Sequence, residues 1–266
     1  QQPGYDESYG RFLPDYFRVR GDLTGYTGQF TPAHLWFILY LLVFSAVALP
    51  LFFHLRRDRR VIDWLARECG RPGALLLLAV PVGIAGVLPD IGGKNPFYYF
   101  MLFLYGYAMA ADNRFQEAVD RSKARALLLG AITMTITLTL WAMRVRFTAY
   151  SPGDVLFYLV RTFNMWFWII ALLGYARKYL NRTHRVYAYA NEASYPFYIL
   201  HQTIIVGIGY GVVQWPVNLW LKFFVIALGS FVVTGMVYDL GVRRNNLTRF
   251  LFGMKGRVAA SGPREA

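Results

Sequence analysis

The sequence is poor in charge and in cysteine, and each shortage excludes a class of protein. Only 16% of its 266 residues are charged, against about 25% in a typical soluble domain. The single cysteine, Cys69, excludes an internal disulfide and a metal site built from several thiolates. The patterns G-x-x-x-x-G-K-[ST], H-E-x-x-H and G-x-S-x-G are all missing. Nucleotide hydrolysis, zinc hydrolysis and serine-esterase chemistry therefore have no support, and we expect neither a metal nor another bound cofactor.

Hydrophobic residues are abundant instead, and they indicate a membrane protein. They make up 56% of the chain, the aromatic share is 18%, and the mean hydropathy is positive. Tyrosine and tryptophan are typical of the two interfaces of a bilayer. The net charge of +13 could suggest a nucleic-acid partner. We reject that partner because the basic residues alternate with apolar segments along the chain, and we expect the lipid bilayer as the partner.

Seven apolar segments are long enough to suggest membrane spans, since a helix that crosses a bilayer needs about 20 such residues. The sequence therefore predicts an all-α, polytopic transmembrane helical bundle of about seven helices. We divide the chain into an extracytoplasmic loop or tail at 1–32, the bundle at 33–245 and a basic cytoplasmic tail at 246–266. The predicted spans are 33–54, 73–89, 96–111, 125–143, 154–176, 194–214 and 217–240.

Lysine and arginine are distributed unevenly between the two ends of these spans. Twenty lie in three connecting loops and the C-terminal tail, which all fall on one side, and six lie on the other. Cytoplasmic loops carry the excess of basic residues in membrane proteins. We therefore expect a multi-pass protein with its N-terminal segment outside and its C-terminus in the cytoplasm.

The span at 194–214 carries the histidine His201 about 10 Å into its length. An ionisable group at such a position is rare and needs a reason. Tyr195, Tyr198 and Gln202 lie close to His201 on one helical stripe, so the helix has a polar seam. The seam faces either a water-filled cleft that holds a substrate or polar groups of neighbouring helices, and the sequence leaves both alternatives open.

Arg161 is the second ionisable group inside a span, about eight residues into 154–176. A guanidinium is costly in hydrocarbon, so we expect it to face the bundle interior or a polar cavity. Asn164 follows on the same helical face. The arginine either bonds to an internal carbonyl or carboxylate, or binds a carboxylate or phosphate of a ligand through its planar fork of donors.

Several polar residues mark the ends of the predicted spans. His34 opens the first span beside Trp36, where an anchoring role competes with a functional one. Asn191 and Glu192 precede the sixth span, where they either cap its N-terminus or line a cytoplasmic entrance, and the cap is the favoured alternative. Near the end of the last span, we expect Asp239 to pair with two arginines, Arg243 and Arg244.

Four segments together resemble a known family. They are 34–42 (HLWFILYLL), 164–174 (NMWFWIIALLG), 194–202 (SYPFYILHQ) and 249–255 (RFLFGMK). In this order they are similar to the acyltransferase-3 family of integral membrane acyltransferases, and within it to the glucan biosynthesis protein C group. The resemblance extends from about residue 30 to the end of the chain.

The resemblance implies an O-acyltransferase of the bacterial inner membrane. Such an enzyme moves an acyl group, of acetyl or succinyl type, from acyl-CoA to a hydroxyl of a sugar or glycan. Acyl-CoA is then a co-substrate that approaches from the cytoplasm, and no bound cofactor is needed. The candidate substrate-binding residues are His201, Arg161, His34, Tyr198, Gln202 and Asn164.

The chain departs from the family in one respect that affects catalysis. The family's catalytic histidine lies on its first transmembrane helix after a basic residue, and nothing in this sequence matches it. We expect the chain to begin just before the family's fourth helix, and no catalytic residue can be assigned. A different class of function remains open, that of a small-solute transporter, a flippase-like protein or an accessory membrane subunit. Its usual sign, paired broken helices in two related halves, is missing.

Overall fold

The computed structural model describes residues 33–91, 93–182 and 184–256, and these residues are folded into helices connected by short loops. No β-strand occurs among them, apart from a single bridge between Ile91 and Lys94. The chain divides into two compact units, residues 1–181 and 182–266. The predicted extracytoplasmic segment 1–32 and the last ten residues of the predicted tail lie outside the described residues.

In the first unit, the part that the structure describes begins with a one-turn 3-10 helix, Ala33–Leu35. The second unit contains a π-helical turn, Tyr238–Val242. The α-helices of the first unit are α1 (Trp36–Arg57), α2 (Arg60–Cys69), α3 (Ala74–Leu77), α4 (Ala79–Gly86), α5 (Pro96–Ala111), α6 (Asn113–Ala142) and α7 (Pro152–Leu180). Those of the second unit are α8 (Arg185–Val212), α9 (Leu219–Val237) and α10 (Asn246–Leu251).

By length and composition, four segments of the part of the chain that the structure describes can cross a membrane, namely α1, α6, α7 and Leu219–Val242, which is α9 with its π-helical turn. A fifth is possible if α2 and the segment Ala74–Gly86, bent by 111°, count as one broken span. The all-α, polytopic class is thus confirmed, but the predicted number of seven spans is not.

Two of the predicted spans explain this difference. Helix α5 has 16 residues and is about 24 Å long, short of the ~30 Å of hydrocarbon. Helix α8 has 28 residues, but its polar seam lowers the hydropathy of the segment below that of the other spans.

Side chains at the ends of the helices fix where they begin. Asn95 accepts a hydrogen bond from the Tyr98 backbone N–H, and Pro96 occupies the first helical position of α5. Ser151 caps α7 in the same way, again followed by a proline. A polar cap and a proline at the first position are the usual N-terminal signals of a helix.

Two predicted boundaries are wrong, because segments assigned to loops are helical. Helix α6 begins at Asn113, twelve residues before the predicted span at 125. Helix α8 begins at Arg185, so Asn191 and Glu192 lie inside it and cannot cap it. His184 takes the N-terminal position, and its Nδ1 accepts a hydrogen bond from the Val186 N–H. The Ala-rich run after Arg185 has good helix propensity and no proline before Pro196, so the helix continues.

The core of the first unit lies between α6, α7 and the short helices α2, α3 and α4. Trp166 of α7 is fully buried, and its indole N–H donates to the Leu75 carbonyl at 2.9 Å. Helices α6 and α7 approach closely where Gly174 faces Lys123. A Cβ added at Gly174 would lie 2.6 Å from the Cβ of Lys123. A glycine is therefore required for this close packing.

The second unit is built from α8 packed against α9 and the π-helical turn. Its buried cluster contains Ala193, Tyr238 and Val242. Arg249 of α10 is nearly buried and forms an ion pair of 2.8 Å with Glu192 of α8. This pair fastens the last helix to the inner part of the unit.

Candidate functional site

A groove in the second unit contains the histidine that the sequence analysis singled out. It has a volume of about 550 Å³ and lies between α8 and α9. Its walls are mostly aromatic and small side chains, with the imidazole of His201 and the phenol of Tyr198 among them. The lining residues are Tyr189, Ala190, Ala193, Ser194, Phe197, Tyr198, His201, Phe231, Gly235 and Tyr238.

The orientation of the His201 ring follows from its contacts with its own helix. Nδ1 lies 2.7 Å from the Tyr198 carbonyl oxygen and 3.2 Å from that of Phe197. A carbonyl oxygen can only accept, so Nδ1 must carry the proton. In the neutral ring this places the lone pair on Nε2, where it can accept a hydrogen bond or a proton.

The groove bears on the two alternatives for the polar seam. Tyr198 and His201 both line it, whereas Tyr195 is exposed and Gln202 is half-buried outside the lining set. The first two residues therefore favour the cleft alternative. For Gln202 the role in binding stays a prediction.

Tyr189 also lines the groove, although the sequence did not predict it as a site residue. Tyr189, Ala193, Phe197 and His201 are each four residues apart and so follow one stripe of α8. The signal was present in the sequence. It was overlooked because the helix was predicted to begin at 194, after Tyr189.

A second cavity, of about 740 Å³, adjoins the groove and shares Tyr189 and Gly235 with it. Asp239 organises its charged end, since it accepts a hydrogen bond from the Tyr189 hydroxyl at 3.1 Å and pairs with Arg243 at 3.4 Å. The predicted pairing of Asp239 is thus confirmed for Arg243. For Arg244, which also lines the cavity, the described residues of this unit show no such pair.

Arg161 lies on α7 in the first unit, and its side chain is exposed. The guanidinium carbon lies 5.9 Å from the centre of the Phe157 ring, and Tyr98 of α5 lies within range of its charge. The expectation that Arg161 turns into the interior of the bundle is therefore wrong for this unit. The alternative, that it faces a polar cavity in the membrane, stays a prediction.

Asn164, one turn from Arg161, has a structural explanation. It is buried, and its amide nitrogen donates to the Gly130 carbonyl at 2.9 Å and to the Thr133 hydroxyl at 2.8 Å. Both residues belong to α6. The amide hydrogens of Asn164 therefore hold α6 against α7.

His34 lies in the one-turn helix that leads into α1, and it is half-buried. The neighbouring Trp36 packs against Tyr99 of α5, with ring centroids 5.0 Å apart, and the Lys94 ammonium lies 5.0 Å from the Trp36 ring centre. The Tyr99 ring in turn contacts that of Tyr98, with centroids 5.2 Å apart, so an aromatic row leads from Trp36 towards Arg161.

The candidate residues thus fall into two sets. His34, Arg161 and Asn164 belong to the first unit, and Tyr198, His201 and Gln202 to the second. Within the second unit, the structure brings Tyr198 and His201 together. That both sets line one pocket stays a prediction.

The described residues contain no group of three or more His, Cys, Asp or Glu side chains that could hold a metal ion. The chemistry available in the groove is therefore that of an imidazole, phenols and a serine hydroxyl. An imidazole with its lone pair on Nε2 suits the acceptance of a proton from a hydroxyl.

Comparisons with known proteins identify the family. The model of the acyltransferase-3 family, described as an acyltransferase domain, matches residues 9–239. Searches of curated proteins and of solved structures found no match to the chain. The match covers most of the sequence and includes three of the four segments, whereas the segment 249–255 lies beyond it. Several helices can also span a membrane, so the predicted family is confirmed. The chain belongs to the acyltransferase-3 family of membrane acyltransferases.

Proposed function

We propose that the chain takes part in the transfer of an acyl group, of acetyl or succinyl type, from acyl-CoA to a hydroxyl of a sugar or glycan. The family supports an acyltransferase in general. The proposal adds the donor, the acceptor and the bacterial inner membrane as the location, all of which follow from the resemblance to the glucan biosynthesis protein C group.

The observation that carries the proposal is the position of His201 in its groove. Its Nδ1–H is directed to the Tyr198 carbonyl, so Nε2 bears the lone pair. We assign Nε2 to a hydrogen bond with the acceptor hydroxyl, next to the Tyr198 phenol. When the hydroxyl oxygen attacks the thioester carbonyl, a C–O bond forms and the C–S bond breaks. Coenzyme A departs as a thiolate, and the proton lost by the hydroxyl is transferred to that sulfur.

The catalytic base itself is not assigned. The resemblance places the family's catalytic histidine on a first helix that has no counterpart in this sequence. His201 is therefore proposed as a substrate contact that accepts a hydrogen bond, and its test must separate this role from that of a base.

Arg161 and His34 are proposed to bind the acceptor or an anionic acyl group. The exposed guanidinium of Arg161 offers a planar set of donors that suits a carboxylate, such as that of a succinyl group. Gln202 is retained as a further polar contact. Asn164 can contribute only through its carbonyl oxygen, since its amide hydrogens bond to α6.

The donor is proposed to approach from the cytoplasmic side. We assign the basic segments 55–72, 112–125 and 177–193, which lie largely in helices, to that side because of their excess of lysine and arginine. Their positive charge raises the local concentration of an anion such as acyl-CoA.

The test is acyl transfer in membranes that contain the chain, with a labelled acyl-CoA and a glycan acceptor. We expect His201→Ala, Arg161→Leu and His34→Ala each to lower the rate. Arg146→Leu serves as the matched control, because Arg146 is an exposed arginine in the loop before α7. Wild-type rates in all three variants would refute the proposed site, and full activity of Arg161→Leu alone would remove the anion-binding role.

A further inference from the structure

We propose that the second cavity of the second unit binds a phospholipid with a singly charged, anionic phosphodiester headgroup. The inference concerns the cavity of about 740 Å³ beside Tyr189, and it does not rest on acyl transfer. It follows from three features of the cavity, which are its apolar wall, its charge and its position along the span.

The apolar wall is a continuous stripe on α9 and the turn that follows it. Val232, Met236 and Leu240 are four residues apart, so they lie on one helical face, and each is about half exposed. Arg244 lies in the bend after the π-helical turn and lines the same cavity. A hydrocarbon chain that lies along this face covers apolar side chains without leaving a polar group unpaired.

The side chains that line the cavity carry a net charge of +1. Among the described residues that line it, Arg243 and Arg244 are cationic and Asp239 is anionic. Asp239 holds the side chains of Arg243 and Tyr189 in place. It forms an ion pair with Arg243 at 3.4 Å and accepts a hydrogen bond from the Tyr189 hydroxyl at 3.1 Å. The Arg243 guanidinium lies 5.3 Å from the centre of the Tyr189 ring, which orients it further. One net positive charge complements a single phosphodiester.

The charged end lies where the span ends. The membrane-spanning segment extends to Val242, and the two arginines follow immediately. Arginines at this position lie at the level of lipid headgroups, and basic residues there attract anionic lipids. Val232 precedes Arg243 by eleven residues, and so lies about 16 Å further into the membrane along the helix. This is the depth of the lipid acyl chains.

The same features argue against the phosphates of coenzyme A as the occupant. Its amide-containing arm would have to lie against Val232, Met236 and Leu240, where its polar groups would lose their hydrogen bonds. Free phosphate would use the arginines and leave the apolar stripe exposed. A lipid satisfies both ends of the cavity.

The test measures lipid retained by the purified chain in detergent, by native mass spectrometry. Phosphatidylglycerol and phosphatidylcholine of equal chain length are the two probes. We expect the chain to prefer phosphatidylglycerol. Arg244→Gln should weaken that binding about fivefold, since one basic residue at the membrane surface contributes about that factor.

Matched variants make the result specific. Arg185→Gln removes an equal charge from the exposed start of α8 and should leave phosphatidylglycerol binding unchanged. Leu240→Gln keeps the charge and should weaken binding through the apolar stripe, and Arg244→Lys should retain most of it. Equal retention of both lipids by the unaltered chain overturns the proposal. So does an equal loss in Arg185→Gln, or displacement of the lipid by coenzyme A or inorganic phosphate at lower concentrations than phosphatidylglycerol requires.

Discussion

His201 and Tyr198 are one helical turn apart on α8, and the Nδ1 atom of His201 lies 2.7 Å from the carbonyl oxygen of Tyr198. Their rings are also neighbours in the groove, with centroids 5.9 Å apart. The backbone of the helix thus selects the tautomer of the imidazole, and it leaves the lone pair on Nε2. Any role of His201 in binding or proton transfer depends on that atom.

The first prediction tests whether acyl transfer depends on the Nε2 atom of His201. In His201→Asn, the amide nitrogen can take the place of Nδ1 and donate to the same carbonyl, but no atom replaces Nε2. We expect normal folding and a rate of acyl transfer that falls by ~10²-fold or more if Nε2 accepts a proton, and by less if it only binds substrate. Tyr198→Phe keeps the carbonyl that orients the imidazole, so any fall in rate in that variant measures the contribution of the phenol hydroxyl alone. A His201→Asn variant with the wild-type rate would exclude both roles.

The second prediction concerns the closest contact between α6 and α7. Gly174→Ala places a Cβ 2.6 Å from that of Lys123, and overpacking of this kind costs ~1–3 kcal/mol. Gly106→Ala is the matched control, because a Cβ there meets nothing within 4 Å and alanine favours a helix. Thermal unfolding in detergent should show a lower midpoint for the first variant and an unchanged or higher one for the second. Equal midpoints would mean that the helices can separate at no cost.

The third prediction concerns the hydrogen bonds of Asn164. In Asn164→Ala, α7 loses its bonds to Gly130 and Thr133 of α6. Hydrogen bonds between membrane helices contribute ~0.6–2 kcal/mol, so the variant should unfold at a slightly lower temperature. A double-mutant cycle with Thr133→Val should show that the two effects are coupled. Additive effects of the two substitutions would contradict the hydrogen bond between Asn164 and Thr133. Loss of acyl transfer without loss of stability would instead indicate that Asn164 contacts the substrate.

The fourth prediction concerns the pH dependence of stability at the start of α6. Hydrogen bonds from the Arg114 side chain and backbone, with a further one from Arg59, hold the pKa of the Asp112 carboxyl well below its usual range. A depressed pKa stabilises the fold above the unfolded pKa of about 4, and the contribution is lost as pH falls towards the folded pKa.

Asp112→Asn keeps a side-chain cap but loses the negative charge that the Arg114 and Arg59 side chains contact. It should therefore lower the melting temperature by ~2–4 °C near pH 7, which corresponds to a loss of ~1 kcal/mol. The difference from the wild-type chain should stay constant down to about pH 5 and narrow below about pH 4. Glu117→Gln, at an exposed position of the same helix, is the control. A difference that widens in acid would contradict this explanation.

The fifth prediction concerns orientation. A reporter that is active only in the cytoplasm, fused after Met254, should be active, because the excess of basic residues predicts that the tail lies on that side. A reporter that is active only outside, fused at the same place, should be silent. The reverse pattern would invert the orientation of every span.

The sequence predicted the class of fold and the family, because both depend on features that span many residues. Hydropathy identified a chain with several membrane-spanning helices, though not their number. The resemblance of the four segments predicted the acyltransferase-3 family, whose model matches residues 9–239. The start of α8 was missed because the charged stretch before residue 194 was assigned to a loop. As a result, neither Tyr189 as a groove residue nor the ion pair between Glu192 and Arg249 was predicted.

The roles of single polar residues were predicted less well. Asn164 and Arg161 share a helical face in the sequence, but one is buried in a hydrogen-bonded contact and the other is exposed. The difference depends on where α6 lies, which is tertiary packing that a helical repeat does not contain. His201 was recognised because an imidazole is conspicuous in an apolar span, and its tautomer required the structure.

The most direct test of the account is a paired assay in sealed vesicles that contain the chain. Labelled acyl-CoA is supplied on the cytoplasmic face with a glycan acceptor, and exchange of an anionic solute is followed in the same preparation. We expect label on the glycan that depends on the chain and falls in His201→Asn, with no solute exchange. Exchange without any labelled glycan, unchanged in His201→Asn, would contradict the proposed acyl transfer and favour a transporter.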